Sequence, residues 1–123
     1  MIKGECHCGA VRWTFDGIPE KLTSCNCSIC RRIAALWAYG TKGNVTVAAA
    51  PDATIAYVQG DKSLAIHTCR ACGCTTHWQA LAAEGPGPDN WRIAVHMRMA
   101  DPVDYAAIRV RHFDGADTWT FLD

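Results

Sequence analysis

With 123 residues, the chain has the length of one modest domain, whose core is small enough for a bound metal to matter to its folding. Twelve basic and twelve acidic side chains cancel, and no run of like charges exceeds two, which argues against an electrostatic grip on nucleic acid. The opening Met1-Ile2-Lys3-Gly4-Glu5-Cys6 has no apolar leader and no window approaches the length of a membrane span, so the expected setting is the cytoplasm, with no membrane partner.

Along the chain, Val11, Trp13 and Phe15 alternate with Arg12 and Thr14, the period of a half-buried strand. Gly9, beside Cys8, predicts a tight turn in which backbone amides approach the thiols. Asp16-Gly17-Ile18-Pro19 reads as a turn, and Thr23-Ser24 leads into a central cysteine cluster. Arg31 to Tyr39 lacks strict alternation and fits either a helical turn or an extended strand. Gly40 and Gly43 bracket a turn, and further strands are expected over Asn44–Ala50, Thr54–Val58 and Ser63–Thr68. Thr75–Ala83 is extended or weakly helical, and Gly85-Pro86-Gly87-Pro88-Asp89 is a loop before a strand at Trp91–Val95. Asp101-Pro102 marks a turn, Ile108–Phe113 alternates, and Asp114-Gly115 turns the chain again before Trp119-Thr120-Phe121. No long amphipathic helix is predicted, which leaves a mainly β architecture with many turns.

Eight cysteines fall into three clusters: Cys6-His7-Cys8, Cys25-Asn26-Cys27-Ser28-Ile29-Cys30, and Cys69-Arg70-Ala71-Cys72-Gly73-Cys74. Such short spacings, without a signal segment, favour metal over a disulfide framework. Zinc closes a structural site with four Cys or His ligands, and two-ligand pairs often arrive from distant parts of a chain. Cys6 and Cys8 have no adjacent third thiol, so Cys69 and Cys72 are natural partners for them. Cys25, Cys27 and Cys30 then remain, and Cys74 is left over. Either Cys74 completes a second four-thiol site, or the triad keeps an exchangeable fourth position. A ribbon of Cys27, Cys30, Cys69 and Cys72 is a third arrangement, and it would leave Cys25 and the first pair unexplained.

The runs Cys6-His7-Cys8-Gly9-Ala10-Val11, Ser24-Cys25-Asn26-Cys27-Ser28-Ile29-Cys30-Arg31 and Cys69-Arg70-Ala71-Cys72-Gly73 resemble the glutathione-dependent formaldehyde-activating family, whose domain is shared with a centromere protein. Arg111-His112-Phe113-Asp114-Gly115 is similar to the family's closing stretch. The resemblance implies one domain over residues 1–123, with a small zinc-stabilised, Mss4-like fold built of short antiparallel strands. It implies two zinc ions: a structural one on Cys6, Cys8, Cys69 and Cys72, and a catalytic one on Cys25, Cys27 and Cys30. Cys74 matches a position outside the metal set. Thr76-His77-Trp78 departs from the family pattern within the expected pocket wall.

The implied activity is that of a carbon–sulfur lyase, which adds glutathione or a related thiol reversibly to formaldehyde or another small aldehyde. Arg31 and Arg32 follow Cys30 directly, and a guanidinium matches a carboxylate of glutathione, so Arg31 is the candidate substrate contact. Trp37, Tyr39 and His77 are further candidates for the pocket, and His67 and His77 flank the third cluster as donors to sulfur or proton shuttles. The rival classes are a zinc-stabilised, non-catalytic binding or scaffold module and, on the CxxC pairs, a thiol–disulfide oxidoreductase.

Overall fold

The computed structural model describes all residues, Met1–Asp123. Ten short strands form two sheets: β1 (Ile2–Glu5), β2 (Arg12–Phe15), β3 (Leu22–Cys25), β4 (Trp37–Thr41), β5 (Val45–Ala48), β6 (Thr54–Val58), β7 (Leu64–Cys69), β8 (Thr75–Ala80), β9 (Arg92–His96) and β10 (Val110–Phe113). The smaller sheet runs β1-β2-β5, and the larger β10-β3-β4-β9-β8-β7-β6. All pairings are antiparallel except β10 with β3, which is parallel. The expected mainly β architecture of short strands is the observed one. Asp101-Pro102, read as a turn, begins a single-turn helix α1 (Pro102–Tyr105), in which the Asp101 carboxylate accepts the Val103 N–H at 3.1 Å and Pro102 needs no partner for its nitrogen.

Side-chain alternation gives the larger sheet two different faces. Leu22, Ala38, Ile93 and Val95 point to one side and pack against Ile2, Trp13, Phe15 and Val45 of the smaller sheet. Thr23, Trp37, Ala94, Trp78 and Ile66 point to the other, as the pairings Thr23↔Trp37, Trp78↔Ala94 and Ile66↔Trp78 require. Trp37, Ala94, Trp78 and Ile66 form a second core with Ala35, covered by Ile29, Cys30 and Ile33 of the central cysteine segment. A third and smaller cluster joins Cys6, Val11 and Cys69. Edge strand β6 carries exposed Ile55 and Tyr57, and its partner β7 delivers Cys69.

Trp13 fills the centre of the inter-sheet core with 1% of its surface exposed. Its Nε1 has no partner, a cost of about 1–3 kcal/mol that is smaller than the roughly 3–5 kcal/mol lost when a buried Trp is truncated. Packing therefore outweighs the orphaned donor. The ring lies flat against Gly4, where an added Cβ would stand 2.3 Å from Trp13 Cε2. Gly4→Ala is expected to destabilise the protein by roughly 1–3 kcal/mol through overpacking. A thermal or denaturant melt checks this, with the exposed neighbour changed in Lys3→Ala as a near-neutral control.

Candidate functional site

The first cysteine pair sits in a tight turn closed by Gly9 N–H donating to Cys6 O at 2.9 Å, with Gly9 at φ +80°. Val11 N–H reaches Cys6 Sγ at 3.3 Å, as expected for a turn that aims amides at thiols. The β7–β8 turn answers it: Gly73 N–H donates to Cys69 O, and Cys69 N–H to Cys74 O. Cys6 and Cys8 Sγ lie 3.7 Å apart, and Cys8 and Cys69 Sγ 3.6 Å. With Cys72 they form a group whose sulfurs all lie within 4.8 Å of one another. None of the cysteines is in a disulfide. Tetrahedral zinc with Zn–S near 2.3 Å would set sulfurs about 3.8 Å apart, so this group fits such an ion. Backbone N–H groups of Cys74 and Cys8 hold the Cys72 thiol down at about 5, and the Cys72 N–H lowers Cys69.

The second group is Cys25, Cys27 and Cys30, again with sulfurs within 4.8 Å. Cys25 ends β3, and the chain then winds through a turn in which Arg31 N–H donates to Cys27 O at 3.1 Å. Cys27 N–H points to Cys25 Sγ and Cys30 N–H to Cys27 Sγ, each at 3.4 Å. The buried Trp37 indole adds its Nε1–H to Cys30 Sγ at 3.4 Å. Burial pushes the Cys25 and Cys30 thiols up, whereas Cys27 is lowered because N–H donation and its neighbouring thiols outweigh its own burial. A divalent cation would reverse that penalty, since a coordinating thiol is deprotonated outright. Cys74 joins neither group, and no ribbon of Cys27, Cys30, Cys69 and Cys72 forms.

The triad opens into a cleft of about 700 Å³ on the face of the larger sheet that is turned away from the smaller one. Strand order dictates its layout. Phe113 on β10 is paired with Cys25 on β3, followed by Trp37 and Tyr39 on β4, Arg92 on β9 and Trp78 on β8. Tyr39 and Trp78 lie 6.1 Å apart, and the Arg92 guanidinium stands 5.6 Å above the Trp78 ring. Arg92 also pairs with Glu84 at 3.1 Å, which leaves part of its donor fork free.

A family model described as glutathione-dependent formaldehyde-activating enzyme matches residues 1–105. The chain belongs to that family. A Halomonas elongata protein named "Putative glutathione-dependent formaldehyde-activating enzyme" is 31% identical over 77 residues, or 62% of this chain and 45% of that relative. The match thus spans less than half of that family member's length. A crystal structure of a Rhodobacter sphaeroides protein superposes with a TM-score of 0.68 at 25% identity, over 89% of this chain and 99% of that one. The family match stops before Arg111–Gly115, so the similarity noted for that stretch lies outside it.

Of the candidate substrate contacts, Trp37 lines the cleft, and Arg31 and His77 do not. Arg31 projects from the turn after Cys30 into solvent. His77 lies on the opposite face of the sheet, because the period of two that turns Trp78 toward the triad turns its neighbour away. There it stacks on His67 at 4.5 Å with a 5° interplanar angle and shares a hydrogen bond with Thr76 Oγ1 at 2.9 Å. Arg92, absent from the sequence reading, is the guanidinium in the cleft. Its placement follows from the pairing of Thr41 with Arg92, which puts it on the Trp37–Tyr39 face. No helix is long and apolar enough to cross a membrane.

Under reducing conditions, metal analysis should reach about two equivalents, one per cysteine group. Cys69→Ser should damage folding, because it opens the group that ties β1 to β7, while Cys27→Ser should spare most of the fold and lose one equivalent. Circular dichroism with metal analysis checks both, and equal collapse of the two variants would make the triad as structural as the first group. Burial holds His77 down at about 3, below its unfolded value of about 6.5. Its contribution to stability is therefore complete above about pH 6.5 and is lost progressively as pH falls toward 3. With metal kept saturating, His77→Gln should lose less stability than the parent between pH 6.5 and 5, by up to about 2 kcal/mol in denaturant melts.

Proposed function

We propose that this chain is a zinc enzyme that catalyses the reversible addition of a thiol, glutathione or a close relative, to an aldehyde. The observation that carries this reading is the three-cysteine group opening into a cleft in a member of this family. On this reading the 123 residues form one zinc-stabilised unit of the Mss4-like kind. Cys6, Cys8, Cys69 and Cys72 hold a structural zinc, and Cys25, Cys27 and Cys30 a second. A zinc held by three thiolates supplies a soft, exchangeable fourth position suited to a thiol sulfur.

The protein's own groups position and shield the reactants. Trp37 and the backbone amides of Cys27 and Cys30 donate to the ligand sulfurs and keep them oriented. Arg92 takes a carboxylate of the thiol, the role first considered for Arg31, because its guanidinium faces the cleft. In the reaction the thiol sulfur attacks the carbonyl carbon, the carbon–sulfur bond forms as the carbonyl π bond breaks, and the thiol proton ends on oxygen. No oxidant or reductant is needed. Burial first, then the nearby thiols, raise Tyr39, so its hydroxyl stays protonated and can donate toward that oxygen. Since thiols and aldehydes combine unaided, most of the acceleration must come from orientation.

A non-catalytic zinc module would be favoured by Cys74 closing the triad with no cleft beside it. Cys74 packs instead against the Cys6, Val11 and Cys69 cluster, and the triad borders open space, which supports the enzyme.

Exchange NMR on glutathione and formaldehyde should show adduct exchange faster than background with zinc-loaded protein, and Cys27→Ser should abolish the excess. Arg92→Ala should raise the thiol KM by about tenfold, the worth of one charge-assisted hydrogen bond, with kcat largely kept. Absence of both exchange and binding across a panel of thiols and aldehydes would sink the enzyme and leave the scaffold module.

A further inference from the structure

Residues 106–123 lie beyond the family match, yet they build the wall of the cleft next to the triad. Phe113 stands beside Cys25 through the parallel pairing of β10 with β3. The strap then crosses the thiols: a Cβ on Gly115 would lie 2.6 Å from Cys25 Sγ and 3.2 Å from Cys27 Cβ. It is clasped to the segment between those ligands. The buried Asp114 carboxylate accepts Asn26 Nδ2 at 2.9 Å, Thr118 N–H at 3.1 Å and Thr118 Oγ1–H at 2.9 Å. Asn26 Oδ1 in turn accepts Ala116 N–H at 3.0 Å. Asp114 and Thr120, and Asp114 and Trp119, are tied through the backbone at 2.8 Å each.

The clasp holds Trp119 at φ +58°, a region that a bulky side chain avoids, with 70% of its surface exposed. Its ring meets Phe113 edge-on at 5.1 Å, and Phe113 meets Phe121 at 5.0 Å. All three line the cleft, and Trp37, Tyr39 and Trp78 line it on the far side of the triad. Strained backbone that presents a large ring to water at the mouth of a site is what a ligand contact needs and what packing alone does not.

We infer that this wall is a subsite for the substituent of an aryl aldehyde, so that the chain acts on a larger carbonyl than formaldehyde. The inference rests on the thiol-addition reading and names the aldehyde class for that site. In the adduct, the carbon bonded to sulfur also carries the aldehyde's substituent. Because the strap packs against Cys25 Sγ, a thiol sulfur bound at Cys25, Cys27 and Cys30 would have that substituent on the strap side, with the thiol's own tail free to run toward Arg92. Formaldehyde offers only hydrogen there and leaves the exposed Trp119 ring in water. An aryl group meets it edge-on or offset. The bond changes are those of the formaldehyde reaction, with no further reactant.

The test uses two inert thioethers, S-methylglutathione and S-benzylglutathione, titrated into zinc-loaded full-length protein by calorimetry. The benzyl probe should bind about tenfold more tightly than the methyl probe. Trp119→Ala should remove that preference without moving the methyl affinity, and Trp119→Phe should restore most of it. Trp119→Gly, which accepts the φ of +58° without strain, should behave like the alanine variant, so the result does not depend on how alanine tolerates that backbone. Equal affinities for the two probes, or a Trp119→Ala variant that weakens both alike, would overturn the subsite and leave thiol addition standing. Failure of both probes to bind would overturn the subsite, and thiol addition would then stand or fall on the exchange measurement with free glutathione.

Discussion

Mutual repulsion among sulfurs is the constraint on which the structure turns. Cys8 and Cys69 bring their sulfurs within 3.6 Å across 61 positions of sequence, with Cys6 and Cys72 beside them. Two unit charges near 4 Å repel by about 4 kcal/mol at an effective dielectric of 20. As a set of thiolates the group opposes its own formation, and N–H donors from the two flanking turns offset only part of this. A divalent cation would turn the same proximity into attraction, which would make folding and metal binding one process. That gain would fall where the chain needs it, between β1–β2 of the smaller sheet and the β7–β8 turn of the larger, a connection whose loop-closure cost spans half the sequence.

The second group depends on the same chemistry with a different outcome, because its ligands are local. Three sulfurs between Cys25 and Cys30 tie no distant strands together, so the energy of a metal bound there would not be spent on folding. What surrounds them comes from sheet alternation. The face carrying Thr23, Trp37, Ala94 and Trp78 has no second sheet against it, only the short segment Ile29–Ile33, and past that segment the face is open. The smaller sheet covers the opposite face. One sheet thus serves as the wall of a core on one side and the floor of a cleft on the other.

That division explains what could be read in the sequence. The cysteine spacings narrowed the groupings to a few, since ligands two or three apart share a turn, and the family resemblance chose among them; β2, β5, β6, β7 and β9 were legible from alternation or β-branched runs. β1 and β3 were not. Ile2-Lys3-Gly4-Glu5 has a glycine at a buried position, where only the missing Cβ makes room for Trp13, and Leu22-Thr23-Ser24-Cys25 is polar although Thr23 is fully buried. The parallel pairing of β10 joins residues some ninety positions apart and leaves no local mark. His77 lies outside the cleft because alternation along a strand turns neighbouring residues to opposite faces. Arg31, next to Cys30 in sequence, also lies outside the cleft lining, because a turn lets adjacent residues point in unrelated directions.

The contrast between Arg31 and Arg92 shows how this fold assembles a site. Arg31 is adjacent in sequence to a ligand and leaves for solvent. Arg92 is 62 residues from Cys30 and reaches the cleft because antiparallel pairing sets it opposite Thr41, two positions along the same face from Tyr39. The strap repeats the pattern: Trp119 and Phe121, at the far end of the chain, border sulfurs near its beginning. The clustered cysteines sit on turns whose spacing coordination geometry would restrict, whereas the cleft is lined from strand faces and a terminal strap free of that restriction. Substitution in the lining can therefore change what the cleft holds without disturbing the sulfurs. A common cysteine pattern is for that reason compatible with different ligands, and the residues that choose among them are to be sought across the sheet rather than beside the cysteines.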